Sequence, residues 1–373
     1  MMKRSFKYRI YPTKAQSAIF EATLENCRQL YNAALQERIE AYKLQNKSLT
    51  RFDQINEIAG LRDEQREFSD IYSGVLYDVI TRVDRAYQNF FRRVREGREK
   101  CGFPRFKGKT RYDSFSYADI RNGFAISEGS IKLPKNLYVK TVFDRPLEGT
   151  PKVCTIKREV DQWFAVISCD AVPEKLLPKT GESVGIDVGI EYFATLSNGE
   201  HIKNPRHAKR AKAKLRRAQR KLSRAKKGSN RRKKQVIRVA KIHRKIKRQR
   251  RHFHFEISVM LVRRFDLIKF EKLNIRNMVK NSKLAFSISD AAWNQFQLIL
   301  AFKAVEAGKQ VEFVNARNTS NKCSASGVIK KKKLYERWHL LPSGEMIHRD
   351  HNAAINILNS TPCARRGQPI NAV

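Results

Sequence analysis

The sequence predicts an α/β protein in two halves: a mixed α/β sheet in the C-terminal half, and a small β-barrel carrying a helical insertion in the N-terminal half. In the C-terminal half, a hairpin-like pair of strands is followed by alternating helical and strand-like segments. In the N-terminal half, one strand-like run precedes two helical blocks, and several strand-like runs follow them. Residues 175–182 contain proline and glycine, which favours a boundary between the halves there.

The N-terminal half begins with alternating residues from Lys3 to Tyr11, which predict a strand that Pro12 ends. From Thr13 the apolar residues recur at helical spacing, and a second helical block follows at about 52–98. The apolar side chains predicted to form the helix cores are Ile19, Leu24, Leu30, Tyr31, Ala34 and Leu35, then Tyr77, Val79, Val83, Tyr87, Phe90 and Phe91.

The segment after the helical blocks begins with a short basic loop and continues as strands. In the loop, Arg105, Lys107 and Lys109 are interleaved with a phenylalanine and glycines. Basic side chains around an aromatic ring suit contact with phosphates and stacking on bases, although an ordinary basic surface loop has the same composition. The strands that follow include a clear hairpin with its turn near 160–162.

The C-terminal half opens with two strand-like runs around a turn at 183–200, and Asp187 lies in the first run. Its neighbours Ile186 and Val188 are apolar, and a carboxylate among buried residues is costly unless a charge pairs with it. A bound cation satisfies that requirement. An aspartate close to glycine is also typical of a turn that ends a strand, so this residue alone leaves both interpretations open.

Two later acids favour the cation. Glu271 lies near the C-terminal end of another strand-like run, and Asp350 lies at the start of an apolar-periodic helix. One acid on each of two strands and a third at the start of a helix form the pattern that a two-metal nuclease centre of the RNase H type requires. Two divalent ions, Mg²⁺ or Mn²⁺, require such hard oxygen ligands. We therefore predict Asp187, Glu271 and Asp350 as catalytic and metal-binding residues.

Residues 201–251 contain 25 Lys and Arg and no acid, which predicts binding to phosphates. A KKGSN break separates two helical patterns, so we predict a helical hairpin at 203–262 rather than a disordered block. Its packed face is predicted to contain Leu215, Ala218, Leu222 and Ala225, then Val236, Ala240, His243 and Ile246. The cations predicted to contact nucleic acid are Arg216, Arg217, Arg220 and Lys221. After the hairpin, a helix at 293–308 and a strand at 310–316 are expected.

The composition points to a polyanionic partner. The formal net charge of +41 over 373 residues excludes an ordinary enzyme of small metabolites, and nucleic acid is the obvious counter-charge. We expect no membrane contact, because no apolar run is long enough to span and no signal-peptide or lipidation motif is present. The six cysteines form no CxxC pair, which is typical of reduced thiols. A cytoplasmic, nucleoid-associated protein of a prokaryote is expected.

Several segments together resemble the TnpB family, the transposon-encoded RNA-guided nucleases related to type V CRISPR effectors. They are GIDVGI, IKFEKLNI, SISDAAWNQF and RDHNAAINIL, in the family's order and spacing, with FKYRIYPTKAQ and GFPRFKGK in the N-terminal half. The resemblance implies an RNase H-like (RuvC) nuclease domain at 183–315 and 347–373, a wedge β-barrel domain at 1–12 and 101–178, and an inserted helical recognition lobe at 13–100.

The resemblance also implies an activity, RNA-guided DNA endonuclease, with one protein chain per transposon-derived guide RNA. The target is double-stranded DNA beside a short adjacent motif, cut by two-metal phosphodiester hydrolysis. In the family the helical lobe checks that motif, and by position we predict Arg51 and Tyr77 as contacts to it. Two alternatives stay open: a nuclease-silent, guide-RNA-dependent DNA-binding protein, and a transposition accessory protein that binds nucleic acid without a guide.

Residues 316–346 depart from the family pattern, which has a zinc ribbon of two C-x-x-C knuckles there. Only Cys323 remains, and the other ligand positions lie near Ser326, Leu341 and Ser343. Cys323 with His339 and His348 falls short of the four ligands that structural zinc requires, so we expect no structural zinc. Without zinc, the segment is expected either to stay mobile until DNA arrives or to be held by packing of Trp338, Leu340, Leu341 and Ile347 against the nuclease sheet. The lysines at 330–333 still suit a loop over nucleic acid.

Overall fold

The computed structural model describes residues 2–97, 101–118, 123–315, 319–329 and 336–362. The chain forms two compact units, Met1–Pro173 and Glu174–Val373. The predicted roles of 330–333 as a nucleic-acid loop and of 363–373 as the end of the nuclease domain lie outside the described residues. No helix within the described ranges has an apolar stretch long enough to cross a lipid bilayer.

The first unit contains one antiparallel sheet of seven strands. They are β1 (Met2–Tyr11), β2 (Ser114–Tyr117), β3 (Ala125–Ser127), β4 (Ser130–Leu133), β5 (Leu137–Val142), β6 (Thr150–Glu159) and β7 (Gln162–Val172). Their order is β2-β6-β7-β1-β5-β4-β3, so the N-terminal strand lies in the middle. The predicted β6–β7 hairpin is confirmed. Within the described residues the end strands β2 and β3 are not paired with each other, so the barrel stays a prediction.

Four helices lie between β1 and β2: α1 (Lys14–Gln45), α2 (Arg51–Glu64), α3 (Arg66–Ser69) and α4 (Ser73–Arg95). The predicted start of α1 is confirmed, because Thr13 and Gln16 form a reciprocal capping box that satisfies the first free N–H groups. The predicted packing of Ile19 is wrong, since that side chain is 51 % exposed. Phe20 is buried instead, because it continues the stripe of Leu24.

In α4, the predicted core residues Val79 and Val83 are buried, whereas Tyr77 and Phe91 are exposed. The difference follows from helical geometry, because Val79 and Val83 are one turn apart and share a face that Tyr77 does not. A sequence stretch dense in apolar residues therefore divides into a buried stripe and an exposed aromatic set.

The second unit contains a five-stranded mixed sheet, as predicted. Its strands are β8 (Ser183–Val188), β9 (Tyr192–Leu196), β10 (His201–Lys203), β11 (Leu267–Glu271) and β12 (Gln310–Val314), in the order β10-β9-β8-β11-β12. The first three pair antiparallel, whereas β8, β11 and β12 run parallel. The remaining strands, β13 (Trp338–Leu340) and β14 (Met346–His348), form a separate two-stranded hairpin.

The helices of this unit are α5 (His207–Ser223), α6 (Asn230–Arg264), α7 (Ile275–Met278), α8 (Ser282–Ala291), α9 (Trp293–Ala307) and α10 (Arg349–Asn359). The helix predicted to end at Gly308 is confirmed, with a positive φ of 71° there. The backbone N–H groups of Lys175 and Leu177 donate to the carbonyls of Glu306 and Ala307 at the end of α9. The proline-containing stretch after the first unit is therefore attached to the second.

The predicted basic hairpin is confirmed as α5 and α6, with its break at 224–229. The predicted packed face of α6 is partly wrong, because Val236 and His243 are exposed. The side chains that pack on α5 around Ala218 are Ile242 and Ile246, with half-buried Val239. The predicted and the observed residues both recur at helical spacing, and contact with α5 determines which of the two sets is buried.

Helix α10 packs closely on β8 at Gly185. A Cβ atom at this glycine would lie 2.2 Å from the carbonyl oxygen of Ala354 and 2.6 Å from the amide nitrogen of Leu358. Both neighbours are backbone atoms that cannot move independently, so only glycine permits this approach. The contact holds the middle and C-terminal part of α10 against β8.

Candidate active site

Two of the predicted acids lie at the carboxyl ends of neighbouring parallel strands. Asp187 is near the end of β8 and Glu271 is the last residue of β11. The two strands pair in register from Ser183 with Leu267 to Ile186 with Phe270. Continued by one residue, this register would place Asp187 beside Glu271, and the charge of Glu271 does act on Asp187.

The third acid reaches the same end of the sheet through α10. Asp350 is in the first turn of this helix, and its backbone N–H donates to Nδ1 of the N-cap residue His348 at 3.3 Å. A Cβ atom on Gly189, just after β8, would lie 3.9 Å from the Asp350 Oδ2. The structure therefore brings Asp350 to the end of the strand that carries Asp187.

The electrostatics of the site reflect three acids in a confined place. Asp187 keeps some exposed surface, but protein atoms surround its carboxylate. Burial raises the pKa of Asp187 well above its usual range, and the charges of Glu271 and Asp350 raise it further. Burial also raises the pKa of Glu271, although a hydrogen bond from Thr319 offsets part of this rise. Ionising Asp187 beside the other two carboxylates is costly, and a bound cation would reverse that cost.

The donor set fits a hard divalent cation, because carboxylate oxygens are the ligands that Mg²⁺ and Mn²⁺ prefer. Two of the acids contact other side chains: Thr319 Oγ1 donates to Glu271 Oε1, and Arg337 Nη1 lies 4.0 Å from Asp350 Oδ1. Within the described ranges, no group of three or more His, Cys, Asp or Glu side chains is arranged to hold a metal ion. The three carboxylates thus share a neighbourhood but not a common coordination sphere.

A basic groove lies beside the acids. Its cavity of about 470 Å³ is lined by Glu191, Tyr192, Lys203, Asn204, Pro205, Arg206, Lys209 and Arg210. Arg337 joins the groove to the acids, because its other ion pair is with Glu191 at 3.4 Å. The Tyr192 ring stacks on His201 with 4.3 Å between centroids. The groove therefore combines four cations with an aromatic wall, which suits a nucleic-acid strand.

The side chains predicted to bind nucleic acid are placed as follows. Arg216, Arg217, Arg220 and Lys221 are all exposed on α5. Arg105 and Lys109 are exposed in the first unit, whereas Lys107 is half-buried. Arg51 is the first residue of α2 and lies over the Phe52 ring at 4.7 Å, and Tyr77 is 41 % exposed on α4. All are placed where solvent or a partner can reach them.

Comparison with known proteins places this chain. Residues 166–282 match a family described as a probable transposase, OrfB_IS605, and residues 1–47 match a helix-turn-helix domain. "TnpB-like protein L770" of Acanthamoeba polyphaga mimivirus is 24 % identical, covering 95 % of this chain and 72 % of that one. A Streptomyces pristinaespiralis protein named "Putative RNA-guided DNA endonuclease" is 35 % identical, covering 96 % of this chain and 89 % of that one.

The chain belongs to the TnpB family. A further relative, "Putative RNA-guided DNA endonuclease InsQ" of Escherichia coli K12, is 27 % identical, covering 96 % of this chain and 92 % of that one. Residues 293–357 of this TnpB member also match the Cas12f1-like TNB domain. Its fold is similar to that of Cas12f1 in a complex with sgRNA and target DNA. The TM-score is 0.64 at 16 % identity, covering 93 % of this chain and 83 % of that chain.

Sequence reasoning missed the role of Asp290 in this TnpB member. Its carboxylate accepts hydrogen bonds from the backbone N–H groups of Ala208 at 2.8 Å and Lys209 at 3.1 Å, and it pairs with Arg250 at 3.4 Å. Asp290 therefore caps α5 and ties both helices of the basic hairpin to α8. The signal was an acid inside the apolar-rich SISDAAW motif, whose partners are far away in sequence.

Two asparagines of α10 were also missed, and they correct the expected attachment of the zinc-ribbon segment. Trp338 and Leu340 are 55 % and 67 % exposed, so they do not hold the segment by packing. The buried Asn352 instead accepts from the N–H of Ser324 and donates to the carbonyl of Lys322, both at 2.8 Å. Asn356 donates to the carbonyls of Thr319 at 2.9 Å and Lys322 at 2.6 Å. Backbone hydrogen bonds to α10 anchor the segment.

We predict that the purified protein contains no stoichiometric zinc and that chelators sparing Mg²⁺ leave its activity intact. Cys323 is buried, His339 Nε2 lies 3.2 Å from the carbonyl oxygen of Ser320, and His348 Nδ1 caps α10. Too few ligands remain for a tetrahedral site. Elemental analysis measures this directly, with Cys323→Ser as the matched variant. About one zinc per chain, lost in Cys323→Ser, would contradict the prediction.

Proposed function

We propose that the chain is an RNA-guided DNA endonuclease whose second unit is a RuvC-like nuclease domain. The observation that carries the proposal is the convergence of Asp187, Glu271 and Asp350 at one end of the mixed sheet. Two curated relatives that span nearly the whole chain bear that activity in their names. The seven-stranded sheet of the first unit would serve as the wedge domain, with α1–α4 as the recognition lobe inserted after its first strand.

The three carboxylates are proposed to hold two divalent ions. When bound, such ions supply an activated water and stabilise the charge on the leaving oxygen. The protein contributes the fixed geometry: β8 and β11 hold two acids in register, and the His348 cap together with the Gly185 contact fixes the helix of the third. Thr319 orients Glu271 by hydrogen bonding to it. The rate enhancement then comes from positioning and charge rather than from a protein nucleophile.

The basic groove beside the acids is proposed to receive the DNA strand that is cut. Lys203, Arg206 and Lys209 would neutralise the phosphates that flank the scissile bond, and the Tyr192–His201 stack offers a surface for a base. Asp290 supports this arrangement, because it fixes the backbone at Lys209. The exposed cations of α5 are proposed to hold the guide RNA or the guide–target hybrid by its phosphates.

The function is tested by expressing the chain with its native flanking DNA and sequencing the RNA that co-purifies. The spacer of that RNA is then replaced, and plasmids carrying the new target beside a randomised motif are incubated with Mg²⁺. We expect cutting only where guide and target match beside one short motif. Guided binding without cutting would indicate the nuclease-silent alternative, and an absence of bound RNA would indicate a guide-independent accessory protein.

We predict that Arg51→Ala and Tyr77→Ala change the preferred target-adjacent motif. Both side chains are long and polar-tipped; Tyr77 is exposed and Arg51 is partly exposed, so they can reach the edge of a DNA groove. Loss of one direct base contact should cost about 1–3 kcal/mol of discrimination at one motif position. Sequencing of the cleaved products from a randomised-motif library measures this. Phe91→Ala is the matched control, since Phe91 is an exposed side chain of α4 without a polar tip. An unchanged preference with lower overall cutting would assign Arg51 and Tyr77 to packing.

A further inference from the structure

A second basic cavity lies in the first unit, where α1 and α4 meet the loop that follows residue 103. Its volume is about 330 Å³, and its lining includes Tyr31, Arg82, Arg85, Lys107, Arg111 and Tyr112. The six side chains come from two helices and one loop that are far apart in the sequence. The fold therefore assembles four cations and two tyrosines around one small concave site.

Only one of the four cations, Arg82, forms side-chain hydrogen bonds or ion pairs within the described part of the protein. Arg82 donates to Asp78 at 2.8 Å, to the carbonyl of Ser114 at 2.7 Å and to the hydroxyl of Ser116 at 2.9 Å. Arg85 and Arg111 are exposed and make no side-chain hydrogen bond or ion pair to any described residue. Asp113 is the one carboxylate among the lining residues, all of which are described. The cavity thus keeps an excess of positive charge.

The loop that carries Lys107 is held rigidly. The Lys107 N–H donates to Oδ1 of Asn32 at 2.7 Å, and its carbonyl accepts from Asn32 Nδ2 at 3.0 Å and from Arg28 Nη1 at 3.2 Å. The Arg111 N–H donates to the carbonyl of Gly108 at 2.9 Å, which closes the turn. The Lys107 ammonium lies over the Tyr31 ring, 5.3 Å from its centroid. The loop is therefore positioned before any ligand binds.

Tyr112 forms a buried wall of the cavity. It is 5 % exposed, and Arg82 lies over its ring, 5.5 Å from the ring centroid. The Tyr112 hydroxyl has almost no accessible surface, so a ligand in the cavity does not touch it. The cations left to face a ligand are therefore Arg85, Lys107 and Arg111.

We propose that this cavity binds one backbone phosphate of a nucleic acid, gripped by Arg85, Lys107 and Arg111. The volume suits a phosphodiester group, and the fork-shaped guanidinium groups of the arginines match its oxygens. A base edge presents donors as well as acceptors, and cationic side chains can satisfy only the acceptors. The cavity belongs to the first unit alone, and the proposal rests on the proposed function only in that the partner is a nucleic acid.

The first test compares two double variants that remove the same charge. Arg85→Gln with Arg111→Gln removes the cavity arginines, and Arg92→Gln with Arg95→Gln removes two exposed arginines of α4 outside the cavity. Binding is measured against salt with guide RNA alone and then with target DNA added to the protein–RNA complex. We expect the cavity variant to lose roughly tenfold or more in affinity in one of the two arms, and the control variant several-fold less.

The phosphate itself is located by single-site backbone substitution, with phosphorothioates in the guide RNA and neutral methylphosphonates in the DNA. We expect substitution at one phosphate to lower the affinity of the parent protein but not that of the cavity variant. The reason is that the substitution and the variant remove the same contact, so their effects are coupled. That position decides between guide RNA and target DNA. If the parent binds, and each backbone substitution reduces the affinity of both double variants by the same factor, the cavity proposal is overturned. If the parent binds neither nucleic acid, the proposed function fails instead.

Discussion

Asp187→Ala should lower the rate of guided DNA cleavage by roughly a thousandfold or more while leaving guide and target binding nearly intact. The reason is that Asp187 lies between Glu271 on the neighbouring strand and Asp350 on α10, so its loss removes a shared ligand of the proposed metal centre. Single-turnover cleavage and equilibrium binding of the same preparation measure the two effects separately. Cleavage by the variant at the parental rate would contradict the assignment.

The control for this prediction is Glu182→Ala, which removes an exposed carboxylate immediately before the same strand. It should cut at the parental rate. The melting temperature adds a second check, because Asp187→Ala removes a buried carboxylate that other acids repel. We expect the variant to melt at the same temperature as the parent or higher. A lower melting temperature with reduced binding would mean that loss of structure caused the loss of cleavage.

Charge reversal to glutamate at the four exposed cations of α5 should weaken nucleic-acid binding at every target sequence. These cations are Arg216, Arg217, Arg220 and Lys221. If each neutralises one phosphate, their loss lowers the slope of log affinity against log salt by about three or more. The helix itself should persist, since glutamate favours helices and Ala218 and Leu215 keep the packed face. Binding isotherms at several salt concentrations measure the change.

The matched control keeps the charge and changes its shape. Arg216→Lys, Arg217→Lys and Arg220→Lys together preserve every positive charge but remove the fork geometry that pairs with base edges. We expect this variant to bind nearly as the parent does, because phosphates are satisfied by point charges. A loss confined to particular target sequences would show that α5 recognises bases, and it would contradict the phosphate prediction.

Local patterns in the sequence predicted the elements of both units because helix and strand signals act over short distances. Thr13 begins α1, Gly308 ends α9 and a KKGSN break separates α5 from α6, each through backbone requirements that adjacent residues meet. The same patterns gave the wrong buried face for Ile19 and Val236. More than one stripe of a helix is apolar, and burial depends on which stripe meets a neighbour.

The sequence predicted which acids form the candidate site, but not the contacts that hold the surrounding segments in place. The sequence could select Asp187, Glu271 and Asp350 because each acid lies at the end or the start of an apolar element, where an unpaired charge is costly. The roles of Asp290, Asn352 and Asn356 were not predictable, since their partners are backbone groups in distant segments. A hydrogen bond to a backbone N–H or carbonyl leaves no side-chain signature in the sequence of the partner.

The sequence by itself determined the charge of the protein, its family motifs, and the order and ends of most helices and strands. These follow from composition and from interactions between residues close in the chain. Only the tertiary structure decided that β8 pairs in parallel with β11, that α10 approaches β8 at Gly185, and that the three acids lie at the same end of the sheet. Strand partner, register and helix docking depend on the packing of many distant side chains at once, and no local segment carries that information.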